Sequence, residues 1–217
     1  MNKIWIGNGQ LVLPDKIVPG GSVLLEGKKI AAVNVPCPPD ARRMDVDGSY
    51  IMAGFVDIHV HGGGDSDFMD EDASAFPTIA KAHCAHGTTA LCPTTMTCAD
   101  SLLEKTIDLF LEADKEPENG AELLGLHLEG PYFSAASKGA QPIGEQRIPE
   151  REDLERILRR AKGSILRWDA APELPNMELF AKVMAENGVL ASLAHSAATA
   201  PEALQAFDWG FSHVTHF

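Results

Sequence analysis

Glu122-Leu-Leu-Gly-Leu-His-Leu-Glu-Gly-Pro-Tyr-Phe-Ser134 is the stretch from which the rest of the chain can be read. An apolar, strand-like run over 122–128 stops at a lone carboxylate, Glu129. Gly130-Pro131 follows at once, and proline, which has no backbone donor, predicts a break in the strand there. Turns and helix caps use such carboxylates too, so Glu129 alone decides nothing. Three further runs also finish on histidine: 54–61 on His59 and His61, Val189–His195 on His195, and Ser212–His216 on His216. Polar groups gathered at strand ends are the mark of a working site in α/β proteins.

Composition sets the outer limits. The 217 residues suffice for a full core and allow one or two domains. A formal charge of −13, from 18 Lys and Arg against 31 Asp and Glu, argues against nucleic acid or an anionic membrane as partner. Cys37, Cys84, Cys92 and Cys98 form no CxxC pair and read as reduced thiols of a cytoplasmic protein. The first residues, MNKIWIGNGQ, lack the apolar core of a signal peptide. No apolar run approaches the roughly 18–20 residues needed to span a bilayer.

Residues 1–52 differ in character from the rest of the chain. Short β-like runs (Ile4–Ile6, Leu11–Leu13, Ser22–Leu25, Ile30–Val33) alternate with turn residues, and Glu26-Gly27-Lys28-Lys29 predicts a hairpin tip. This reads as a small antiparallel β domain that needs support from another unit. From 53 to 217, apolar strands alternate with amphipathic helices, which predicts a parallel α/β sheet. Strands are expected near 54–61, 88–93, 122–128, 166–171, 189–194 and 211–215. Ser101-x-x-Glu104 and Thr199-x-x-Glu202 read as capping boxes, and Asn176 as the cap of a third helix. Leu154, Ile157, Leu158 and Ala161 mark the buried stripe of a basic helix. Six such strands fit part of a (β/α)8 barrel or a doubly wound sheet.

Chemistry narrows this further. His59 and His61 are two apart in a strand and share a face, which suits a divalent metal; Asp57 lies on that face and is expected to orient a histidine. His127 shares the face of Glu129, as a supporting or a core histidine. His213 and His216 are three apart, so only one faces the site, and the later is expected to do so. His83 and His86 read as helix-end histidines. One carboxylate with histidines from the first, fifth and sixth strands converges most naturally in a closed parallel barrel. A metal held there would activate water, and the reaction would still need a proton shuttle that no residue of the chain obviously supplies.

Gly54-Phe-Val-Asp-Ile-His-Val-His-Gly62, His127-Leu-Glu-Gly-Pro-Tyr-Phe-Ser134 with Lys138-Gly-Ala-Gln141, Asp169-Ala-Ala-Pro-Glu173, Leu193-Ala-His-Ser-Ala-Ala-Thr199 and His213-Val-Thr-His-Phe217 together resemble the amidohydrolase superfamily. Within it they resemble the N-acetylglucosamine-6-phosphate deacetylase family, over nearly the whole chain. That resemblance implies a partial (β/α)8 TIM barrel, about six of eight strands, with a small N-terminal β-sandwich segment. It implies that Glu129, His195 and His216 bind the principal metal, zinc or iron. His59 and His61 fit the version of the family that holds a second ion. Ala140 and Gln141 are implied to touch a phosphorylated amino sugar, although many members have histidine where Gln141 stands. The implied reaction removes acetate from N-acetylglucosamine 6-phosphate, leaving glucosamine 6-phosphate. Two departures matter. No lysine stands near the end of the 166–171 strand, where many relatives carry a carboxylated one. The family's catalytic aspartate ends strand eight, beyond Phe217, so the chain is expected to be part of a longer polypeptide, inactive alone and a homodimer when complete. The alternatives are another amidohydrolase, acting on a cyclic amide or a different N-acetyl sugar, and a non-catalytic metal-binding half-barrel.

Overall fold

Residues 3–142 and 144–216 are described by the structure, a computed structural model, and they fall into two units, Met1–Gly54 and Phe55–Phe217. In the first, β1 (Lys3–Val12) lies between β2 (Ile17–Glu26) on one side and β4 (Arg42–Asp45) and β5 (Tyr50–Ile51) on the other, with β3 (Lys29–Val33) beyond β2. The β2–β3 hairpin turns at Gly27-Lys28, with Glu26 facing Lys29. The sheet is mixed where the sequence predicted an antiparallel unit, because β4 and β5 both run parallel to β1 after crossover segments. Leu11, Val23 and Ile51 form its small core.

The second unit strings β6 (Phe55–Val60), a short β7–β8 hairpin (Gly62–Gly63, Ser66–Asp67), α1 (Ala75–Cys84), β9 (Thr88–Thr95), α2 (Asp100–Glu112), β10 (Glu122–Leu123), β11 (Leu126–Tyr132), α3 (Arg151–Ala161), β12 (Ile165–Ala170), α4 (Met177–Glu186), β13 (Leu190–Leu193), α5 (Ala200–Trp209) and β14 (His213–Val214). Barrel strands pair in the order β6, β9, β11, β12, β13, β14, every pairing parallel, with β10 also on β9. This is a curled half-barrel of six strands. Its core is layered between sheet and helices: Leu91, Leu126, Leu128 and Trp168 face Phe76, Ile79, Ile107, Phe110, Leu154 and Phe180. Each such side chain contributes roughly 1.5–3 kcal/mol by leaving water.

Helix packing follows the apolar stripes. Leu154, Ile157, Leu158 and Ala161 are all buried, and the charged face of α3 meets α2 through Arg156 on Asp100 and Glu104 and Arg160 on Glu104 and Asp108. That pairing displaces one expected cap. Helix α2 begins at Asp100 after Ala99 without a side-chain cap, and Glu104 is spent on the two arginines. Asn176 likewise makes no side-chain cap; its amide donates to Pro149 O at 3.1 Å. Only the Thr199–Glu202 box forms.

The run 122–128 is not one strand. A Cβ at Gly125 would sit 2.6 Å from Leu166 Cγ and 2.8 Å from Ser164 O, and at this close approach the chain splits into β10 and β11. Nor does β11 stop at Glu129. It carries on through a cis Gly130–Pro131 bond to Tyr132, with a register slip against β12 between Glu129 and Tyr132. The slip absorbs proline's missing donor. Gly130 is required there, since a Cβ would meet Thr97 Oγ1 at 2.1 Å, and its carbonyl accepts the Trp168 indole N–H at 2.8 Å. The four cysteines are free thiols, and no helix of the described residues is long and apolar enough to cross a membrane.

Candidate metal centre

Glu129 lies midway along β11, just before the Gly130–Pro131 bond, with its side chain only 2 % exposed, and four imidazoles surround it. Its Oε1 stands 2.7 Å from His216 Nε2 and 2.8 Å from His195 Nε2. Its Oε2 stands 3.0 Å from His61 Nε2 and 3.4 Å from His59 Nε2, out of line for hydrogen bonding, so this buried oxygen has no hydrogen-bond partner. The two pairs of histidines thus form two three-residue groups that share one carboxylate, each with its ligand atoms close enough for one cation.

Tautomers settle what these nitrogens offer. His61 Nδ1 donates to Thr94 O at 3.1 Å and His195 Nδ1 donates to Ser137 O at 3.0 Å. In the neutral ring the proton is therefore on Nδ1, and Nε2 turns a lone pair toward a carboxylate oxygen. The His59 and His61 Nε2 atoms face each other 3.2 Å apart. Acceptors meeting acceptors around a buried charge repel unless a cation sits among them. Without one, the remaining relief is protonation, and Glu129 does raise the His61 and His195 pKa values above their ordinary range. Burial pushes the Glu129 carboxyl up, yet the surrounding imidazoles outweigh it and hold the group far below the usual carboxylate range. A carboxylate with four imidazoles is the donor set of zinc or iron, so the residues present fit a divalent metal.

The backbone is shaped for this. His195 (φ 45°) and His216 (φ 59°) both take the left-handed conformation, which costs a non-glycine residue about 1 kcal/mol or more and recurs at functional sites. Glu173 secures the turn after His195: its two oxygens accept Ser196 Oγ–H at 2.7 Å and Ala197 N–H at 2.6 Å. A cavity of about 770 Å³ opens beside the centre, walled among others by Met96, Ser137, Ala140, Gln141, Leu193 and Thr215.

All five histidine and glutamate side chains expected at the metal come together, and Ala140 and Gln141 line the same cavity. Gln141 is buried, its Oε1 accepting Thr97 N–H at 2.8 Å. Asp57 does not orient an imidazole: its Oδ1 accepts the His59 backbone N–H at 3.0 Å. His83 is not merely a helix-end residue, because its Nε2 meets Gly62 O at 3.0 Å, just past the His59–His61 pair. His127 and His213 both turn to Arg167, at 2.8 and 2.9 Å. Ser137 O, Glu173 and Arg167 had no expected role, since none carries a local signal; each acts across 23 to 109 residues of chain.

Comparison with known proteins agrees with this geometry. The amidohydrolase family model matches residues 50–217. An N-acetylglucosamine-6-phosphate deacetylase of Lysinibacillus sphaericus is 31 % identical over 80 % of this chain and 45 % of its own length. An N-acetylgalactosamine-6-phosphate deacetylase of Escherichia coli O157:H7 is 27 % identical over 98 % of this chain and 52 % of its own. The crystal structure of N-acetylglucosamine-6-phosphate deacetylase from Pasteurella multocida superposes with a TM-score of 0.89 at 28 % identity, over 99 % of this chain and 56 % of that one. The chain spans about half the length of the curated relatives it matches.

Proposed function

The chain belongs to the amidohydrolase family, and on that premise we propose that it contributes the metal centre of an N-acetylglucosamine-6-phosphate deacetylase. The observation that carries this reading is the buried carboxylate of Glu129, with the Nε2 atoms of four imidazoles around it beside a cavity sized for a small ligand. Glu129, His195 and His216 would hold the principal ion, zinc or iron, and His59 and His61 with Glu129 a second. A divalent ion bound there supplies Lewis-acid activation of water and of an amide carbonyl.

The chain's own residues hold that arrangement still. Ser137 O and Thr94 O keep the His195 and His61 protons on Nδ1, so both Nε2 atoms face inward. Ala140 and Gln141 lie in the loop that walls the cavity, where they would meet the phosphorylated sugar. The Gln141 carbonyl is already engaged by Thr97, so this side chain offers a ligand its NH2 group. Hydrolysis of an amide also needs a proton delivered to the leaving amine. Among the described residues no carboxylate besides Glu129 lines the cavity, and the reading assigns that step to an aspartate outside these 217 residues. The 217-residue chain alone is then inactive, in a cytoplasmic protein that is a homodimer when complete.

Acetate release tests this directly, with zinc- or iron-loaded protein and four substrates: N-acetylglucosamine 6-phosphate, its galactosamine epimer, unphosphorylated N-acetylglucosamine and a cyclic amide. A polypeptide with the complete barrel should turn over the first fastest, and the 217-residue chain none of them. Preference for the cyclic amide would replace the deacetylase reading with another amidohydrolase. Release by the 217-residue chain would refute the placement of the proton shuttle.

A further inference from the structure

Beneath the metal centre, Arg167 of β12 extends its guanidinium across the inside of the half-barrel. Nη2 donates to Ile58 O at 2.9 Å and to His127 Nδ1 at 2.8 Å, while Nη1 donates to His213 Nε2 at 2.9 Å. The side chain is 7 % exposed, and its charge faces Asp169, whose Oδ1 lies 3.7 Å from Nε and also accepts Thr215 Oγ–H at 3.1 Å. The three hydrogen-bond partners belong to β6, β11 and β14, so from β12 one side chain ties four of the six barrel strands. Each of the three it bonds stands close to a candidate ligand: Ile58 next to His59, His127 two residues before Glu129, His213 three before His216.

One of these ties falls where strand pairing is irregular. Among the described residues β6 pairs with β9, and that pairing loses register between Asp57 and Val60, the stretch that carries Ile58 and His59. What holds that stretch is side chains. Asp57 accepts the His59 N–H, Thr94 Oγ1 accepts the Val60 N–H at 3.0 Å, and Arg167 takes the Ile58 carbonyl. A guanidinium presents its donors in a rigid plane, so the carbonyl and the two rings it bonds are held at fixed spacing, which a single ammonium cannot do. The His127 ring fixed in this way stands edge-on to the His59 ring, with centroids 4.8 Å apart.

We propose that Arg167 is a positioning residue for the His59–His61 half of the metal centre, acting as a cross-barrel clamp that sets the irregular end of β6 at ligating distance from Glu129. The inference rests on the metal reading above, and it is tested by ion binding rather than by turnover.

Zinc binding to metal-stripped protein is measured by competition titration for the wild type, R167M and R167K, with the H59N/H61N double variant and H195N as references. R167M should match H59N/H61N: one ion is lost or weakened by about 10–100-fold, the usual cost of removing a ligand's supporting partner, while the ion on Glu129, His195 and His216 keeps its wild-type affinity. R167K, which has the charge without the fork, should stay near R167M. Undiminished binding in R167M would overturn the proposal. So would equal weakening of both ions with a lowered melting temperature, the mark of a merely structural role, or full recovery in R167K. Should R167M not fold, R167K and the reference variants still decide. Wild-type binding that H59N/H61N leaves unchanged would remove the pair from the centre, and the clamp with it. Wild-type protein that binds no zinc would refute the metal reading itself, before any Arg167 variant is compared.

Discussion

Replacing Glu129 with glutamine keeps the side chain's shape and removes the one charge that both histidine pairs share. Oε1 is 2.7–2.8 Å from His216 and His195, and Oε2 is 3.0–3.4 Å from His61 and His59, so no single imidazole substitution reaches both groups. A four-ligand zinc site is worth about 10–16 kcal/mol, or roughly 2.5–4 kcal/mol per ligand. At 1.4 kcal/mol per tenfold, that is a loss of about 10²–10³-fold in affinity. The amide adds a second penalty by pointing an NH2 group at one of the two ions. Competition titration of metal-stripped protein should therefore find both ions weakened in E129Q, whereas H61N weakens only one. E129Q that binds as much zinc as the wild type, with the same affinity, would mean that the carboxylate is a structural ion and the site lies elsewhere.

Burial holds the His127 imidazole below its ordinary pKa of 6.5, so the native ring stays neutral where the unfolded one takes a proton. Its contribution to stability is whole above that value and shrinks as the pH falls, by up to about 1.4 kcal/mol per pH unit. In urea melts of metal-free protein, the stability advantage of wild type over H127Q should narrow from neutrality toward roughly pH 5; parallel curves would contradict this. Burial likewise pushes the Cys98 thiol up to about 11. Near pH 8 only about one in 10³ of these thiols is then ionised, and peptide mapping after iodoacetamide should find Cys98 unmodified until the protein is denatured. Thr199→Ala removes the hydroxyl's part of the α5 capping box, leaving the backbone N–H of residue 199 on Glu202, and should cost about 1 kcal/mol. A thermal melt should show this as a drop of about 2–4 °C; no drop would mean that the end of α5 is already frayed.

Much of the barrel was legible because its signals are local. Apolar runs separated by amphipathic helices predict parallel strands, and the two-residue spacing of His59 and His61 places both on one face. The three-residue spacing of His213 and His216 separates their faces, and the structure sends the first to Arg167 and the second to Glu129. What sequence reasoning missed depends on distant partners. The division at Gly125 arises from Leu166 and Ser164 on the neighbouring segment. Strand β11 survives Gly130-Pro131 because its register can slip against β12. Ser101-x-x-Glu104 has the pattern of a cap, but Arg156 and Arg160 compete for the glutamate from another helix. Nothing near Arg167 in the sequence announces that its guanidinium reaches Ile58, 109 residues away.

The most direct test of the account is anomalous scattering from crystals grown with zinc or iron, recorded on both sides of the metal's absorption edge. The account predicts an edge-dependent peak bonded to Glu129, His195 and His216, with a second at His59 and His61. Crystals in which the metal binds elsewhere on the protein while the space around Glu129 shows no such peak would contradict it.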